Sequence, residues 1–313
     1  MGTDSDLDSL DPVAIDPNPN NPRKYFNEDK LDLLRTSIQE VGILVPLIVC
    51  RSVKEHRFVL MDGERRWRCS IDLGLATVPA NIIETPSRLD NLLRMFNIHN
   101  VREDWPLVSV ALSLRNVIEE TCEHRESRLA ELTGLTRSTV RRAKRILSLP
   151  EFEIELIQNE AHLDRNNQVH REDLYLEIEA AESVLRNRLS EISEEYGRDR
   201  IIRQFAAKAE EQSLTAVTDF RYVGKLLKMM NEGYIERAEV VLAARRLVAE
   251  TSLSPRDLFE EVAAARYEQH SLDRKAERMT VELDSLTGQQ LAESLRERLI
   301  GLRDSITRLL TGS

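Results

Sequence analysis

The sequence predicts an α+β protein: a small mixed α/β domain at the amino-terminal end, an all-α helix-turn-helix domain, and a helical carboxyl-terminal region. Short β-branched runs are found before residue 84, whereas only helical periodicity follows residue 89. The composition, with 31% charged and 5% aromatic residues, favours long helices with salt bridges on their surfaces. A chain of 313 residues has room for two or three domains.

The amino-terminal elements are predicted from local patterns. Residues 1–20 are polar and show no hydrophobic period, so a flexible arm is expected there. A helix then begins near Asp29 and stops at Gly42, with Leu31, Leu34 and Ile38 on one face. Strands are predicted at 46–50, 57–61 and 78–83, and a second helix between Gly63 and Gly74. These elements predict an α/β domain over residues 21–88.

Composition and charge exclude several classes of protein. A net charge of −10 argues against a general polyanion binder, so any DNA binding must be local. The three cysteines are far apart in sequence, which predicts neither a disulfide framework nor a zinc site. The sequence has no apolar run long enough to cross a bilayer and no signal peptide. These observations predict a cytoplasmic protein without a membrane partner.

Residues 126–145 have the pattern of a helix-turn-helix, inside a helical domain predicted over residues 89–158. Ala130 is small where two helices cross, Gly134 permits the turn, and Val140 returns to the shared core. Seven residues of the second helix and its cap are predicted to contact DNA: Thr136, Arg137, Ser138, Arg141, Arg142, Lys144 and Arg145. The alternative is a solvated basic helix face, but no acidic residue lies between Leu132 and Pro150.

A second basic motif, Gly63-Glu64-Arg65-Arg66-Trp67-Arg68, follows a predicted strand and begins a helix. Unpaired backbone N–H groups and the helix dipole favour an anion at such a position. The residues alone leave open a nucleotide or phosphorylated ligand, a salt-bridge cluster, and a non-specific DNA contact. Trp67 and Trp105 are predicted to pack in the core, with stacking on a base as the alternative.

Several segments together resemble the successive boxes of the ParB-type partition proteins over about residues 15–150. They are Asn20–Phe26, Gly42–Val49, Gly63–Arg68 and His99–Asp104, followed by the helix-turn-helix. The resemblance implies a nucleotide-binding domain that holds CTP, and a homodimer that closes as a clamp on a specific double-stranded DNA site. It also implies a ParA-type ATPase as partner, a role in plasmid or chromosome segregation, and association with the nucleoid or a plasmid.

The resemblance also implies nucleotide contacts for individual residues. It assigns Gly42 and Pro46 to the base and Gly63, Glu64, Arg65, Arg66 and Arg68 to the phosphates. It assigns Asn100, Arg102 and Glu103 to magnesium and triphosphate binding; these three lie in the segment His99–Asp104, here called the third box. This box departs from the family pattern, because His99 stands in the position of a glutamate and one residue is missing before Arg102. Neutral imidazole is a poor ligand for Mg²⁺, so magnesium dependence and CTP hydrolysis are not predicted, and no metal ligands or catalytic residues are assigned.

The carboxyl-terminal part is predicted to be helical over residues 173–313, after a polar linker near residues 159–172. A helix over residues 291–310 has apolar residues at alternating spacings of four and three: Leu295, Leu299, Leu302, Ile306 and Leu309. This pattern predicts a short coiled coil for dimerisation, or an amphipathic helix packed on its own domain.

Three functions follow as hypotheses. The first is a CTP-gated, dimeric, site-specific DNA clamp of ParB type. The second is a ParB-derived transcriptional or nucleoid-associated regulator with weak or no use of nucleotide, suggested by the altered third box. The third is a ParB-like nuclease, for which Glu64, Glu103 and Asp104 are the available carboxylates.

Overall fold

A computed structural model describes residues 6–21, 26, 28–52, 56–100, 105–286 and 292–311, leaving out the side chains of residues 6, 7, 97–100 and 270. Its amino-terminal part has one sheet in the order β1-β5-β3-β4-β2. The strands are β1 Asp6–Leu10, β2 Ile15–Asp16, β3 Leu47–Arg51, β4 Phe58–Asp62 and β5 Val78–Ile83. Strand β3 is antiparallel to β4 and parallel to β5, so the sheet is mixed. The small α/β domain is as predicted.

The predicted flexible arm is wrong for residues 6–16. Strand β1 pairs with β5 in antiparallel register, and β2 pairs with β4. Leu10 and Ile15 are buried in the same apolar cluster as Leu47 and Val78. Backbone pairing to two sheet edges and burial of Leu10 and Ile15 order this segment, and its two strands are too short to show a clear hydrophobic period in the sequence.

Two helices of this domain, α1 Glu28–Val41 and α2 Glu64–Asp72, pack against each other, and α2 also packs on the sheet. Leu31 and Ile38 of α1 and Cys69 of α2 form a buried cluster, as the spacing along α1 predicts. The predicted stop at Gly42 is confirmed, since Gly42 has a φ of +73° and donates to the Ile38 carbonyl.

The rest of the described chain is helical. The helices are α3 Arg88–Asn100, α4 Leu107–Thr121, α5 Glu126–Thr133, α6 Arg137–Leu147, α7 Glu151–Glu160, α8 Glu172–Arg188, α9 Ser190–Tyr196, α10 Arg198–Glu210, α11 Arg221–Asn231, α12 Arg237–Ala249, α13 Pro255–Ser285 and α14 Glu293–Thr311. Helix α3 joins the two parts, because Met95 packs with Cys50 and Met61 of the sheet while Leu92 and Phe96 belong to the helical core.

The predicted linker at residues 159–172 does not separate two cores. One continuous apolar cluster extends from Leu92 to Ala263 and includes residues of both α6 and α8. The connection between α7 and α8 is itself anchored, since the Tyr175 hydroxyl donates to Glu153 at 2.6 Å and contacts His170 Nδ1 at 3.0 Å. The helix-turn-helix therefore lies within a larger helical body that continues into α13.

A buried lysine links α10 to the chain segment that follows α12. Lys208 of α10 is fully buried and donates to the carbonyls of Glu250 at 2.5 Å and Leu253 at 2.7 Å. Burial lowers the pKa of the Lys208 ammonium to about 8. Lys208 satisfies carbonyl groups after the end of α12 that lack a helical partner.

The last two helices project from the body. Helix α13 has 31 residues, a length of about 46 Å, yet its buried side chains, among them Leu258, Phe259 and Ala263, lie near its amino-terminal end. Helix α14 buries no residue in this structure. None of the described helices is both long and apolar enough to cross a membrane.

Candidate functional site

Gly63 forms a tight turn between β4 and α2. Its φ of +100° lies in the left-handed region, and a Cβ there would be 2.6 Å from Leu47 Cδ2 and 3.0 Å from Arg66 Nη2. No side chain caps the amino-terminal end of α2. The first N–H groups of α2 therefore lack an intrahelical partner and can receive an anion.

Arg66 joins the Gly63–Arg68 motif to the Gly42–Val49 segment. Its guanidinium donates to the Pro46 carbonyl at 2.8 Å and to the Val45 carbonyl, and its Nη2 lies 3.4 Å from Asp62 Oδ2. The segment that contains Gly42 and Pro46 is thereby held beside the start of α2. The fold brings together these two groups of predicted nucleotide residues, which are some twenty positions apart in sequence.

The other residues of the Gly63–Arg68 motif also have partners within the protein. Arg65 Nη2 donates to the Lys30 carbonyl at 2.8 Å. Arg68 donates twice to Glu64 Oε1, at 3.0 and 2.7 Å, and its guanidinium lies 4.3 Å from the centre of the Phe26 ring. The salt-bridge alternative considered from sequence thus describes Glu64 and Arg68, and a ligand would have to compete with these contacts.

The segment before Pro22 makes polar contacts that its sequence did not indicate. Asn21 donates to Glu64, which ties this segment to the Gly63–Arg68 motif. Asn18 is buried and donates to Asn91 Oδ1 of α3 at 2.9 Å. A buried asparagine is costly unless it is hydrogen-bonded, so Asn18 has a structural role that its Asn-Pro context did not indicate.

The third box cannot be placed in this site from the structure. Asn100 is the last residue of α3 and its side chain is outside the described set, as are residues Arg102 and Glu103 entirely. The roles predicted for these three residues therefore remain predictions.

A separate cleft of about 520 Å³ lies on the side of α2 that faces α1 and β2. Among the predicted nucleotide residues that the structure describes, Arg68 alone lines it, and Arg57 and Asp16 form an ion pair at its wall. The cleft therefore does not coincide with the site formed by Gly42, Pro46 and the start of α2.

Helices α5 and α6 form the predicted helix-turn-helix. Gly134 ends α5 with a φ of +72°, and Thr136 caps α6 by accepting from the Thr139 N–H at 3.1 Å. Val140 is fully buried, and Ala143 and Ile146 of α6 enter the same core. The opposite face of α6 consequently points to solvent.

Two of the residues predicted to contact DNA instead bind partners within the protein. Lys144 Nζ donates to the His124 carbonyl at 2.8 Å. Arg145 pairs with Glu179 and donates to the Leu176 carbonyl, which joins α6 to α8. No acidic residue is near Arg145 in sequence, but tertiary packing supplies Glu179 from a distant helix.

The remaining polar residues at the start of α6 form the exposed basic face of the motif. Thr136, Arg137, Ser138, Arg141 and Arg142 are all exposed. Arg141 pairs with Glu126 at 3.1 Å, but its side chain is still 65% exposed. Arg137 and Arg142 form no ion pair with any residue that the structure describes. This face can meet phosphates and base edges without rearrangement of the core.

No group of three or more His, Cys, Asp or Glu side chains in the described part of the chain could hold a metal ion. Burial raises the pKa of the Cys50 and Cys69 thiols, which disfavours their thiolate forms. Trp67 donates to the Pro12 carbonyl at 2.9 Å, and Trp105 packs edge-on against Phe96, as predicted for core residues.

Comparisons with known proteins point to one family. The ParB N-terminal domain matches residues 2–100. Chromosome-partitioning protein ParB of Caulobacter vibrioides is 38% identical over 138 residues, 43% of this chain and 44% of that protein. Chromosome-partitioning protein Spo0J of Thermus thermophilus is 35% identical over 147 residues, 47% of this chain and 52% of that protein. The chain thus spans about half the length of the curated relatives it matches.

Among solved structures, the C-terminally truncated ParB of Caulobacter crescentus complexed with CTP-gamma-S is 28% identical. The match covers 55% of this chain and 92% of that chain, with a TM-score of 0.30, which is too low to establish a shared overall arrangement. Residues 2–100 match the ParB N-terminal domain, and with the helix-turn-helix that follows, the chain resembles the ParB-type partition proteins.

Proposed function

We propose that this chain is a site-specific DNA-binding protein of ParB type that acts in plasmid or chromosome partition as a CTP-gated, dimeric clamp. The observation that supports this most directly is the combination of a ParB N-terminal domain with a helix-turn-helix whose basic face is exposed. The homodimer and a ParA-type ATPase partner are part of the same proposal.

The DNA site of the proposal is the exposed start of α6. Arg137, Ser138, Arg141 and Arg142 would enter the major groove, where arginine can bind guanine bidentately or neutralise phosphate. Lys144 and Arg145 would act by holding α6 against its neighbours rather than by contacting DNA. A net charge of −10 keeps binding confined to this face.

The nucleotide site of the proposal is the junction of the Gly42–Pro46 segment with the start of α2. The N–H groups after Gly63 would hold the phosphates, and Arg65 would turn from the Lys30 carbonyl towards them. Arg66 would link nucleotide binding to the position of the Gly42–Pro46 segment, because it already contacts the Val45 and Pro46 carbonyls. A ligand that replaces these contacts can shift the domain between two arrangements.

Calorimetric titration of CTP into the whole protein, with and without Mg²⁺, tests the nucleotide site. ATP, GTP and UTP are titrated separately as controls. Selective CTP binding that is lost in Arg65→Ala is expected. Arg57→Ala is the matched control, since Arg57 lies in the same domain but pairs with Asp16 away from this site. Equal binding of all four nucleotides, or undiminished CTP binding by Arg65→Ala, would contradict the proposed site.

A regulator that binds DNA without nucleotide is the second candidate. It is favoured by the protein partners that Arg65, Arg66 and Arg68 already have, and by His99 in place of a glutamate in the third box. Genomic footprinting separates the two, because a clamp spreads away from its loading site whereas a regulator stays on it. Absence of CTP binding together with a compact footprint would favour the regulator.

A further inference from the structure

Glu182 of α8 is a fully buried carboxylate that pairs with two arginines. Arg198 Nε lies 3.3 Å from its Oε2, and Arg186 Nε lies 3.4 Å from its Oε1. In the part of the chain that the structure describes, no group donates a hydrogen bond of good geometry to either oxygen. Burial raises the pKa of the Glu182 carboxyl, and the two guanidinium groups oppose that shift. A buried charge is costly unless it is paired, so Glu182 depends on these two arginines.

Arg198 connects this carboxylate to the end of α6. It is the first residue of α10, and its Nη1 donates to the Ser148 carbonyl at 2.6 Å. Its Nη2 lies 3.4 Å from the Ser148 hydroxyl, and Ser148 caps the carboxyl-terminal end of α6. Carbonyl groups at the end of a helix lack intrahelical partners and carry partial negative charge, so a guanidinium is favoured there. Glu182, Arg198 and Ser148 thus link α8, α10 and α6 in series.

A second link joins α6 to α8 one helical turn away. It is the ion pair of Arg145 with Glu179, at 2.5 Å. Arg145 and Ser148 are three residues apart at the end of α6, and Glu179 and Glu182 are three residues apart on α8. Residues at this spacing are neighbours on one face of a helix. The two links therefore fix the direction of α6 as well as the place of its last turn.

The residues proposed to contact DNA begin at the opposite end of α6. The helix has 11 residues, which corresponds to a length of about 16 Å from Arg137 to the Ser148 anchor. A tilt of about 4° at the anchored end would therefore move the first turn by about 1 Å. Hydrogen bonds to base edges do not survive such a displacement without a change in length or angle. The position of Ser148 is thus expected to affect base contacts, although Ser148 itself is at the far end of the helix.

We infer that Glu182 is a positioning residue for DNA recognition, which acts through Arg198 to set the direction of α6. A buried ion pair adds little net stability compared with apolar residues of the same volume, so stability alone does not explain a charge at this position. The inference rests on the DNA site of the proposed function and deepens it. It places a determinant of DNA specificity in α8 and α10, outside the helix-turn-helix.

Arg198→Ala and Arg186→Ala are a matched pair of variants that tests the inference in the full chain. Each removes one cation from the same buried carboxylate, but of the two arginines only Arg198 contacts Ser148. The side chains of Arg186 and Arg198 are 48% and 27% exposed, so both variants are expected to fold. Both should lower the unfolding temperature, whereas only Arg198→Ala should change DNA recognition.

The readout is the ratio of two affinities, one for a DNA site selected from a random pool and one for a scrambled duplex of the same length. Fluorescence anisotropy measures both affinities well below the unfolding transition of each variant. The ratio should fall about tenfold in Arg198→Ala, a loss in the range caused by one mismatched base pair, and should stay unchanged in Arg186→Ala. Equal falls in the two variants, or no fall in either, would overturn the inference.

Glu182→Gln shows whether Glu182 acts through Arg198. Glutamine keeps the volume of the side chain and removes its charge, so the affinity ratio should fall, by no more than it falls in Arg198→Ala. In the Arg198→Ala background, Glu182→Gln should cause no further fall, because the residue through which it acts is already absent. Additive losses in the double variant would contradict this route.

The same measurements separate the inference from the proposed function. If the wild-type protein shows no preference for any selected site, the proposed DNA-binding function fails. If the wild-type protein is selective and Arg198→Ala is equally selective, only the positioning role fails. The salt dependence of binding to the scrambled duplex should be the same in all variants, because none of them removes a residue proposed to contact phosphate.

Discussion

The turn at Gly63 is expected to tolerate no side chain, and Gly63→Ala measures this directly. A Cβ in the left-handed region costs about 1–2 kcal/mol, and φ at Gly63 is already at +100°. The new carbon would also lie 2.6 Å from Leu47 Cδ2, and Leu47 is fully buried in the sheet core. Overpacking of that kind adds about 1–3 kcal/mol, for a total loss of about 2–5 kcal/mol in the free energy of unfolding.

Gly74→Ala is the matched control at the other end of α2. Gly74 has a φ of +62°, but a Cβ there would meet nothing within 4 Å. The free energy of unfolding of Gly74→Ala should therefore fall only by the backbone cost of about 1–2 kcal/mol. The difference between the two variants isolates the collision with Leu47.

Urea denaturation monitored by Trp67 fluorescence is the assay. The chain has two tryptophans, so a Trp105→Phe background confines the signal to Trp67, which contacts the Pro12 carbonyl within the amino-terminal domain. The midpoint and slope then give the free energy of unfolding of that domain. Equal losses for Gly63→Ala and Gly74→Ala would refute the argument, because they would mean that Leu47 moves aside at no cost.

Three further predictions concern the helical body. If Arg142 contacts a base, Arg142→Ala should weaken binding to a DNA site selected from a random pool by about 1–3 kcal/mol. If Arg142 contacts phosphate, the slope of log affinity against log salt concentration should instead fall by about one. The α5 control Arg128→Ala should change neither quantity. Arg145→Ala should lower the free energy of unfolding of the helical body by about 1–3 kcal/mol in urea denaturation, because Glu179 loses its cation. The control Arg128→Ala should lower it by under about 0.5 kcal/mol. Similar losses in both variants would contradict a stabilising link between α6 and α8 through Arg145. Because the pKa of Lys208 is lowered to about 8 in the fold, the unfolded chain binds more protons above that pH, and stability should rise between pH 8 and 10.5 by at most about 3 kcal/mol. A rise of the same size in Lys208→Met would exclude Lys208 as its source.

Local sequence patterns were sufficient where a residue's role depends on its near neighbours. The spacing of Leu31 and Ile38 predicted the buried face of α1, and Ala130, Gly134 and Val140 predicted the helix-turn-helix. These patterns are reliable because the period of a helix and the permitted φ of glycine are properties of the local backbone.

Contacts between distant residues could not be predicted in the same way. Residues 6–10 form an edge strand because they pair with the backbone of β5. Arg145 found Glu179, and Arg66 found the Pro46 carbonyl, across separations that no local pattern encodes.

The sequence by itself determined the α+β class, the helix-turn-helix, the family resemblance and the basic character of both candidate sites. Only the tertiary structure decided which arginines are used inside the protein and which are left for a ligand, because an ion pair depends on how helices pack. It also showed that the helix-turn-helix shares one core with the helices after it, and that apolar residues of α13 and α14, among them Leu272 and Leu309, are exposed. Burial is a property of the whole fold, so neither result could be obtained from one segment alone.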